Sequence, residues 1–366
     1  MRKLLTNKII LYLPLLIIMI ISFFNMYNTR FINPIYNNHL NKQIIWYIIA
    51  IILFIIINKI NTNILFKYSK YLYILCNILL LIVLIFGKSI NGAKAWISLG
   101  IISFQPSEIM KLGIALYLSS YVSNYEINNR KDELLLIIKV LLIVITPSIL
   151  VFLEPDTGAI IFYLIIAITV LYLKKINKKW FFLLFILSGI LLTCFIILYI
   201  CNQDLLIKLL GTSFFYRVER LITFKTENSY QLDNALIAIG AAKFFNFNLT
   251  GISIYIPEAP TDFIFAFNIS NFGIISGIII LICYILINIF LINKYININD
   301  KKIKLFLSSF INIFLFHEII NIGMNLGLVP IIGIPLPFLS YGGSTIIIFS
   351  IFLSIIIKQT NNMDIY

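Results

Sequence analysis

The sequence predicts an all-α, polytopic membrane protein of about ten transmembrane helices, with a long outer loop between the seventh and eighth. Three observations carry this reading. Of 366 residues, 61% are hydrophobic and 12% charged, against roughly 45–50% and about 25% in soluble chains. The mean hydropathy is +1.00. Apolar runs of about 20 residues recur from end to end, each long enough to cross a bilayer. The chain therefore reads as one integral membrane domain over residues 1–366.

The first run, 9–24, follows Arg2 and Lys3 but has no small-residue cleavage site after it, so it reads as a retained helix. Further helices are expected at 43–58, 67–86, 109–125, 134–153, 158–173, 180–201, 263–292, 305–328 and 343–358. The fourth is the least hydrophobic. Seventeen Lys and Arg residues fall in the segments that become cytoplasmic if the chain starts inside, and four in the short outer loops. That asymmetry predicts both termini inside. The net charge of +13 is spread along these loops, so it reflects topology and excludes a nucleic-acid surface.

Cys76, Cys194, Cys201 and Cys283 sit in or at the end of apolar runs and read as free thiols. His39 and His317 are too few and too far apart to propose a metal centre. The eight acids between Glu154 and Asp262 all fall in outer segments, so any chemistry is expected on that face.

Several outer segments carry candidate residues. In Asn91–Lys111, Trp96 and Lys94 precede a helix start at Pro106, and Glu108 and Lys111 are spaced i,i+3. Trp96 as an interfacial anchor and the charged pair as a helix closure are the plain alternatives. Glu154-Pro155-Asp156-Thr157-Gly158 places two acids beside hydrocarbon, where Asp156 could equally be a helix cap. Arg217 and Arg220 suit bidentate phosphate recognition, or pairing with Glu219, Glu227 or headgroups. In 202–262, the outer loop ends on Glu258 and Asp262 at the mouth of an apolar run. A carboxylate there is costly to keep, which makes Asp262 a candidate catalytic base, with helix capping as the alternative. The prolines and paired glycines of Gly333–Ser344 predict irregular backbone that shapes a cavity.

Taken together, Asn91–Lys111, Pro155–Gly158, Tyr216–Arg220, Tyr230–Gly240, Pro257–Ala266 and Asn321–Ser344 resemble, in order, the blocks of the SEDS family (shape, elongation, division and sporulation), the RodA, FtsW and SpoVE proteins. The resemblance implies a SEDS-type fold and a peptidoglycan glycosyltransferase that polymerises lipid II outside the bacterial plasma membrane. A class B penicillin-binding protein transpeptidase and other elongation or division proteins are the implied partners. It implies Asp262 as the essential residue and a role for Trp96. Partial desolvation would lift Asp262 above the ordinary value of about 3.9, making it a better base. Arg217, Arg220, Lys94 and Lys111 would hold pyrophosphate, with Glu108, Asp156 and Glu258 orienting these cations or a divalent cation, Mg or Mn, the single candidate cofactor. Length and absence of long tails match the RodA or SpoVE type. A lipid II flippase and a non-catalytic scaffold for the penicillin-binding protein are the rival readings. This chain departs from the family at Glu154, where Gln is usual, at Ser270 and Asn271 in place of two Glu, and in the eroded glycine turn after Gly240.

Overall fold

The computed structural model describes residues 2–90, 93–99, 102–212, 214, 215, 218, 219, 230–247 and 254–363. Within them the helices are α1 Arg2–Thr29, α2 His39–Lys59, α3 Thr62–Lys67, α4 Ser69–Phe86, α5 Pro106–Asn124, α6 Arg130–Leu153 and α7 Thr157–Leu173. They continue with α8 Lys178–Cys201, α9 Gln203–Leu210, α10 Tyr230–Gly240, α11 Ile264–Phe272, α12 Ile274–Asn297, α13 Lys301–Asn325 and α14 Gly343–Met363. Every expected apolar run falls on helix. Among the described residues seven helices are long and apolar enough to cross a membrane, namely α1, α2, α4, α6, α8, α12 and α13. The shorter apolar helices α7 and α14 accompany them. The protein is a multi-pass membrane protein.

Local chemistry sets the ends. Asn129 accepts from the amides of Lys131 and Asp132 while Asp132 returns a bond to the Asn129 amide, a capping box that starts α6. Asp300 likewise accepts from Lys302 and Ile303 at the start of α13. Among the described residues no residue of α8 is buried, and its few contacts, such as Trp180 Nε1 donating to Glu133 Oε2 (3.0 Å), leave most of its apolar surface exposed.

The polar fourth helix has a structural reason. α5 packs against α4, α6, α7, α13 and α14, so it meets other helices rather than lipid. It can therefore carry Ser107, Glu108, Lys111 and Ser119 buried.

Two segments depart from expectation. The outer stretch before α5 forms a short antiparallel meander, β1 Lys88–Ile90, β2 Ala93–Leu99 and β3 Ile102–Phe104. The expected helix 263–292 is two helices broken at Gly273, where φ is +84°. The backbone of Lys243–Asn246 runs alongside this break. Asn246 N donates to Phe272 O (3.3 Å), and Ile274 and Ile275 donate to Lys243 O and Phe244 O (3.1 and 3.2 Å). A Cβ on Gly273 would stand 2.8 Å from both Asn246 N and Phe244 O, so both the torsion and the contact exclude a side chain. The eroded stretch after Gly240 is thus an ordered clamp on the α11–α12 break. Gly273→Ala should destabilise the fold by roughly 1–3 kcal/mol, read as a lowered thermal unfolding midpoint of the detergent-solubilised protein; an unchanged midpoint would refute the clamp.

Candidate active site

The site is built on backbone that is not helical. Residues 334–340 are all buried except the intermediate Pro335, and their carbonyls are bonded one after another. Asn321 of α13 donates to Ile334 O (2.8 Å), and His317 Nδ1 lies 2.9 Å from Pro335 O. Leu336 O accepts the Ser340 amide (3.0 Å). Tyr284 of α12 donates to Pro337 O (2.6 Å), Tyr47 of α2 to Phe338 O, Ser22 of α1 to Leu339 O (2.9 Å) and Gln43 of α2 to Ser340 O (3.1 Å). Pro335 and Pro337 bring no N–H, so fewer buried donors need partners. This is how irregular backbone survives at membrane depth.

The turn Pro257–Phe263 is docked on that segment. Tyr341 N donates to Pro260 O (2.7 Å), and Ser340 Oγ donates to Thr261 O (2.7 Å) while accepting from Leu336 N (2.8 Å). Two carboxamides from one face of α13 grip Asp262 by its main chain. Asn321 and Asn325 donate to Asp262 O at 3.0 and 2.8 Å, and Asn325 Oδ1 accepts from Ala266 N (2.9 Å). Opposite the carboxyl lies Gly333, at φ +78°, where a Cβ would come 3.4 Å from Asp262 Oδ2.

Among the described residues no donor bonds the carboxylate of Asp262 itself. Burial, and secondarily the charge of Glu258, push its pKa up to about 7. Glu258 adopts a left-handed φ of 51°, held by amides of Thr261 and Phe263 on its carbonyl (3.2 Å each) and by the Thr261 hydroxyl on its carboxylate (2.9 Å). Phe338 is left-handed too, at φ 63°. Non-glycine residues in this region are sparse and store strain that the surroundings must hold. A carboxylate poised near neutrality can take a proton from a hydroxyl.

Behind this loop lies a buried charged chain. Lys111, 1% exposed, donates to Glu108 Oε1 (2.6 Å), and its ammonium lies 3.1 Å from His317 Nε2. Pro335 O can only accept, so His317 Nδ1 carries the proton and Nε2 accepts from Lys111. The Phe162 ring stacks on His317 (centroids 4.1 Å) and lies under the Lys111 ammonium (4.1 Å). Asp156 Oδ2 accepts from Gln105 Nε2 (2.7 Å) and Ser107 Oγ (2.8 Å), tying the start of α7 to the start of α5. A Cβ on Gly158 would come about 3.9–4.0 Å from the Ile334 and Ile332 side chains, so the start of α7 packs against the segment that leads into the loop.

The candidates thus divide. Glu258 and Asp262 share one turn; Glu108, Lys111 and Asp156 form the scaffold behind it. Lys94 donates to the C-terminal carbonyls of α4, Leu84 O and Ile85 O (3.0 and 2.9 Å), a use of the cation as a helix cap. Neither Lys94 nor Lys111 presents an unengaged ammonium to a phosphate here. Trp96 is half-buried on β2. Arg217 and Arg220 lie outside the described residues.

Sequence reasoning missed both histidines and Asn325. His39 stacks on Tyr341 (centroids 4.0 Å, 7° between planes), and Tyr36 packs on His39 (4.8 Å). The i,i+4 repeat of His317, Asn321 and Asn325 on one helix face was a legible signal. Also missed was Glu318, a carboxyl buried inside α13 and bonded by Asn288 of α12 (2.8 Å).

Glu154 is 0% exposed, and among the described residues neither of its carboxylate oxygens has a partner. Burial, then the neighbouring Asp156, push it up to about 8, so at neutral pH it is a neutral acid where the resemblance expects Gln. Asn271 turns back onto Phe267 O (2.9 Å) and needs no charge.

The family model described as "Cell cycle protein" (FTSW_RODA_SPOVE) matches residues 2–364. A probable peptidoglycan glycosyltransferase FtsW of Aliivibrio salmonicida is 31% identical over 339 residues, covering 89% of this chain and 80% of the relative. The protein of the same name from Wigglesworthia glossinidia brevipalpis is 34% identical, covering 87% and 82%. Among solved structures, one of a peptidoglycan synthase complex, described as coordinating polymerization and crosslinking, superposes with a TM-score of 0.77 at 23% identity, covering 96% and 97% of the two chains. The crystal structure of the Thermus thermophilus rod shape determining protein RodA gives 0.66 at 23%, covering 95% and 96%. At these identities the structural likeness is one of fold.

Glu154→Gln tests the buried acid. A carboxyl with a raised folded pKa costs no stability below its unfolded value near 4.5; the cost grows with pH and is complete above about 8. Thermal unfolding of the variant should match the parent at pH 4, exceed it increasingly up to about pH 8 and level off above that. Parallel curves across that range would contradict a buried neutral acid.

Proposed function

The chain belongs to the FtsW/RodA/SpoVE family of cell cycle proteins, and we propose that it is a peptidoglycan glycosyltransferase polymerising lipid II, with Asp262 as the catalytic base. The carrying observation is a residue gripped through its main-chain carbonyl whose carboxylate, among the described residues, is left unbonded. Chain growth requires a sugar 4-hydroxyl to attack an anomeric carbon while a lipid pyrophosphate leaves. Asp262 takes the hydroxyl proton as the new glycosidic bond forms. Its pKa of about 7 matches the base to neutral conditions.

Cationic stabilisation of the departing pyrophosphate falls to Arg217 and Arg220, because Lys94 and Lys111 are engaged elsewhere. Glu258 is a hard oxygen donor of the kind that holds Mg or Mn together with substrate phosphates. Such a divalent ion would neutralise phosphate charge when bound. Glu108, Lys111 and Asp156 act as scaffold, fixing α5, α7 and α13 around the loop that carries the base.

The outer-face assignment and cytoplasmic termini in a bacterial plasma membrane rest on the Lys and Arg asymmetry. A class B penicillin-binding protein as transpeptidase partner rests on the family and on the fold shared with a polymerizing and crosslinking synthase complex. The FtsW names of the relatives favour that branch over the RodA or SpoVE type that chain length alone favours.

Asp262→Asn should abolish glycan polymer from purified lipid II, tested alone and with the cognate penicillin-binding protein, at normal protein levels. In the parent, turnover should rise about tenfold per pH unit below about 7 and level off above it. Polymer from the variant would remove the base assignment and favour a scaffold role.

A further inference from the structure

At the other end of α5 from Glu108, roughly 24 Å along its axis, a cavity of about 300 Å³ opens between the α3–α4 junction and the last two turns of α5. Lys67, Ser69, Lys70, Tyr117, Ser120 and Tyr121 are among its lining residues. No acid lines it. Lys67 and Lys70 are exposed, and among the described residues no carboxylate pairs with either.

Further lysines ring the cavity. The Lys302 ammonium lies 4.9 Å over the Phe66 ring that floors it. Lys139 lies 5.7 Å from the Tyr125 ring. Lys174 donates to Tyr125 O (2.5 Å), so the negative end of α5 is already neutralised where the cavity begins. Ser69 and Lys70 are the first two residues of α4, so that helix turns its positive end into the cavity.

The floor and walls are apolar and aromatic, the rim is cationic, and hydroxyls stand between. The helices around it, α4, α5 and α6, are embedded in the bilayer, and the cavity lies at the level of their ends. We propose that this cavity is a binding site for the phosphate headgroup of an anionic phospholipid, held from the leaflet opposite the candidate active site. Lys67 and Lys70 contact the phosphate, the Ser120 and Tyr121 hydroxyls bond its oxygens, and the acyl chains descend along the exposed apolar faces of α4 and α6. The alternative source of the same chemistry is free inorganic phosphate. A mere pull of the basic face on anionic bilayers would need no cavity at all.

The test is native mass spectrometry of the full-length protein, delipidated and titrated with phosphatidylglycerol, phosphatidylcholine or inorganic phosphate. Three forms are compared: the parent, Lys67→Gln/Lys70→Gln, and Lys178→Gln/Lys179→Gln, which removes the same charge from the start of α8. The site predicts a saturable phosphatidylglycerol adduct, absent with phosphatidylcholine and weakened about tenfold or more by the first pair only. Tyr121→Phe should weaken it by a smaller factor, with folding unchanged. Equal loss from both lysine pairs would replace the site with diffuse surface charge. Inorganic phosphate competing at the same concentration as the lipid would overturn the lipid assignment.

Discussion

The site depends on one constraint: backbone that leaves helical geometry inside a membrane must find a partner for every carbonyl. Between Ile334 and Ser340 each carbonyl is bonded, by Asn321, His317, Tyr284, Tyr47, Ser22 and Gln43, and at Leu336 by the turn itself. Those donors come from α1, α2, α12 and α13. An unbonded buried carbonyl costs about 1–3 kcal/mol, so the loop can take this shape only when all four helices are in place. The loop is therefore a keystone, and its geometry reports the packing of the bundle.

The base inherits its chemistry from that arrangement. Asn321 spans the loop and the turn, donating to both Ile334 O and Asp262 O. Main-chain anchoring fixes where Asp262 points without stabilising its charge. A cation or an amide on the carboxylate would have lowered its pKa; burial and the neighbouring Glu258 instead raise it. The ion pair of Lys111 and Glu108 is kept one layer back, where it orders His317 and through it Pro335 O without reaching the carboxylate. Position and basicity are thus controlled by different groups.

Much of this was legible in the sequence. The spans followed from hydrophobic period and length, and the two prolines and glycines of Gly333–Ser344 announced irregular backbone. Asp262 stood out because a carboxylate at the edge of hydrocarbon is costly. Less legible was what depends on distant pairing. Lys94 looked like a phosphate ligand because nothing local shows that its ammonium reaches the end of α4. The break at Gly273 was hidden within a run read as a single helix despite Asn268, Ser270 and Asn271, since the clamp comes from residues 243–246. His39 and His317 were set aside as metal ligands, when their value is as flat rings and single donors against the loop. Glu154 looked like a charged departure from Gln, and only its complete burial makes it a neutral equivalent.

The central claim is that the Asp262 carboxyl, unbonded among the described residues, titrates near neutrality while its main chain is held. The most direct measurement is an infrared pH titration of the protein in lipid, taking the difference between parent and Asp262→Asn. A protonated carboxyl stretch assigned to Asp262 should disappear with a midpoint of about 7. A midpoint near the ordinary value of about 4 would contradict the account, because it would mean a fully solvated or cation-paired carboxylate rather than a desolvated base.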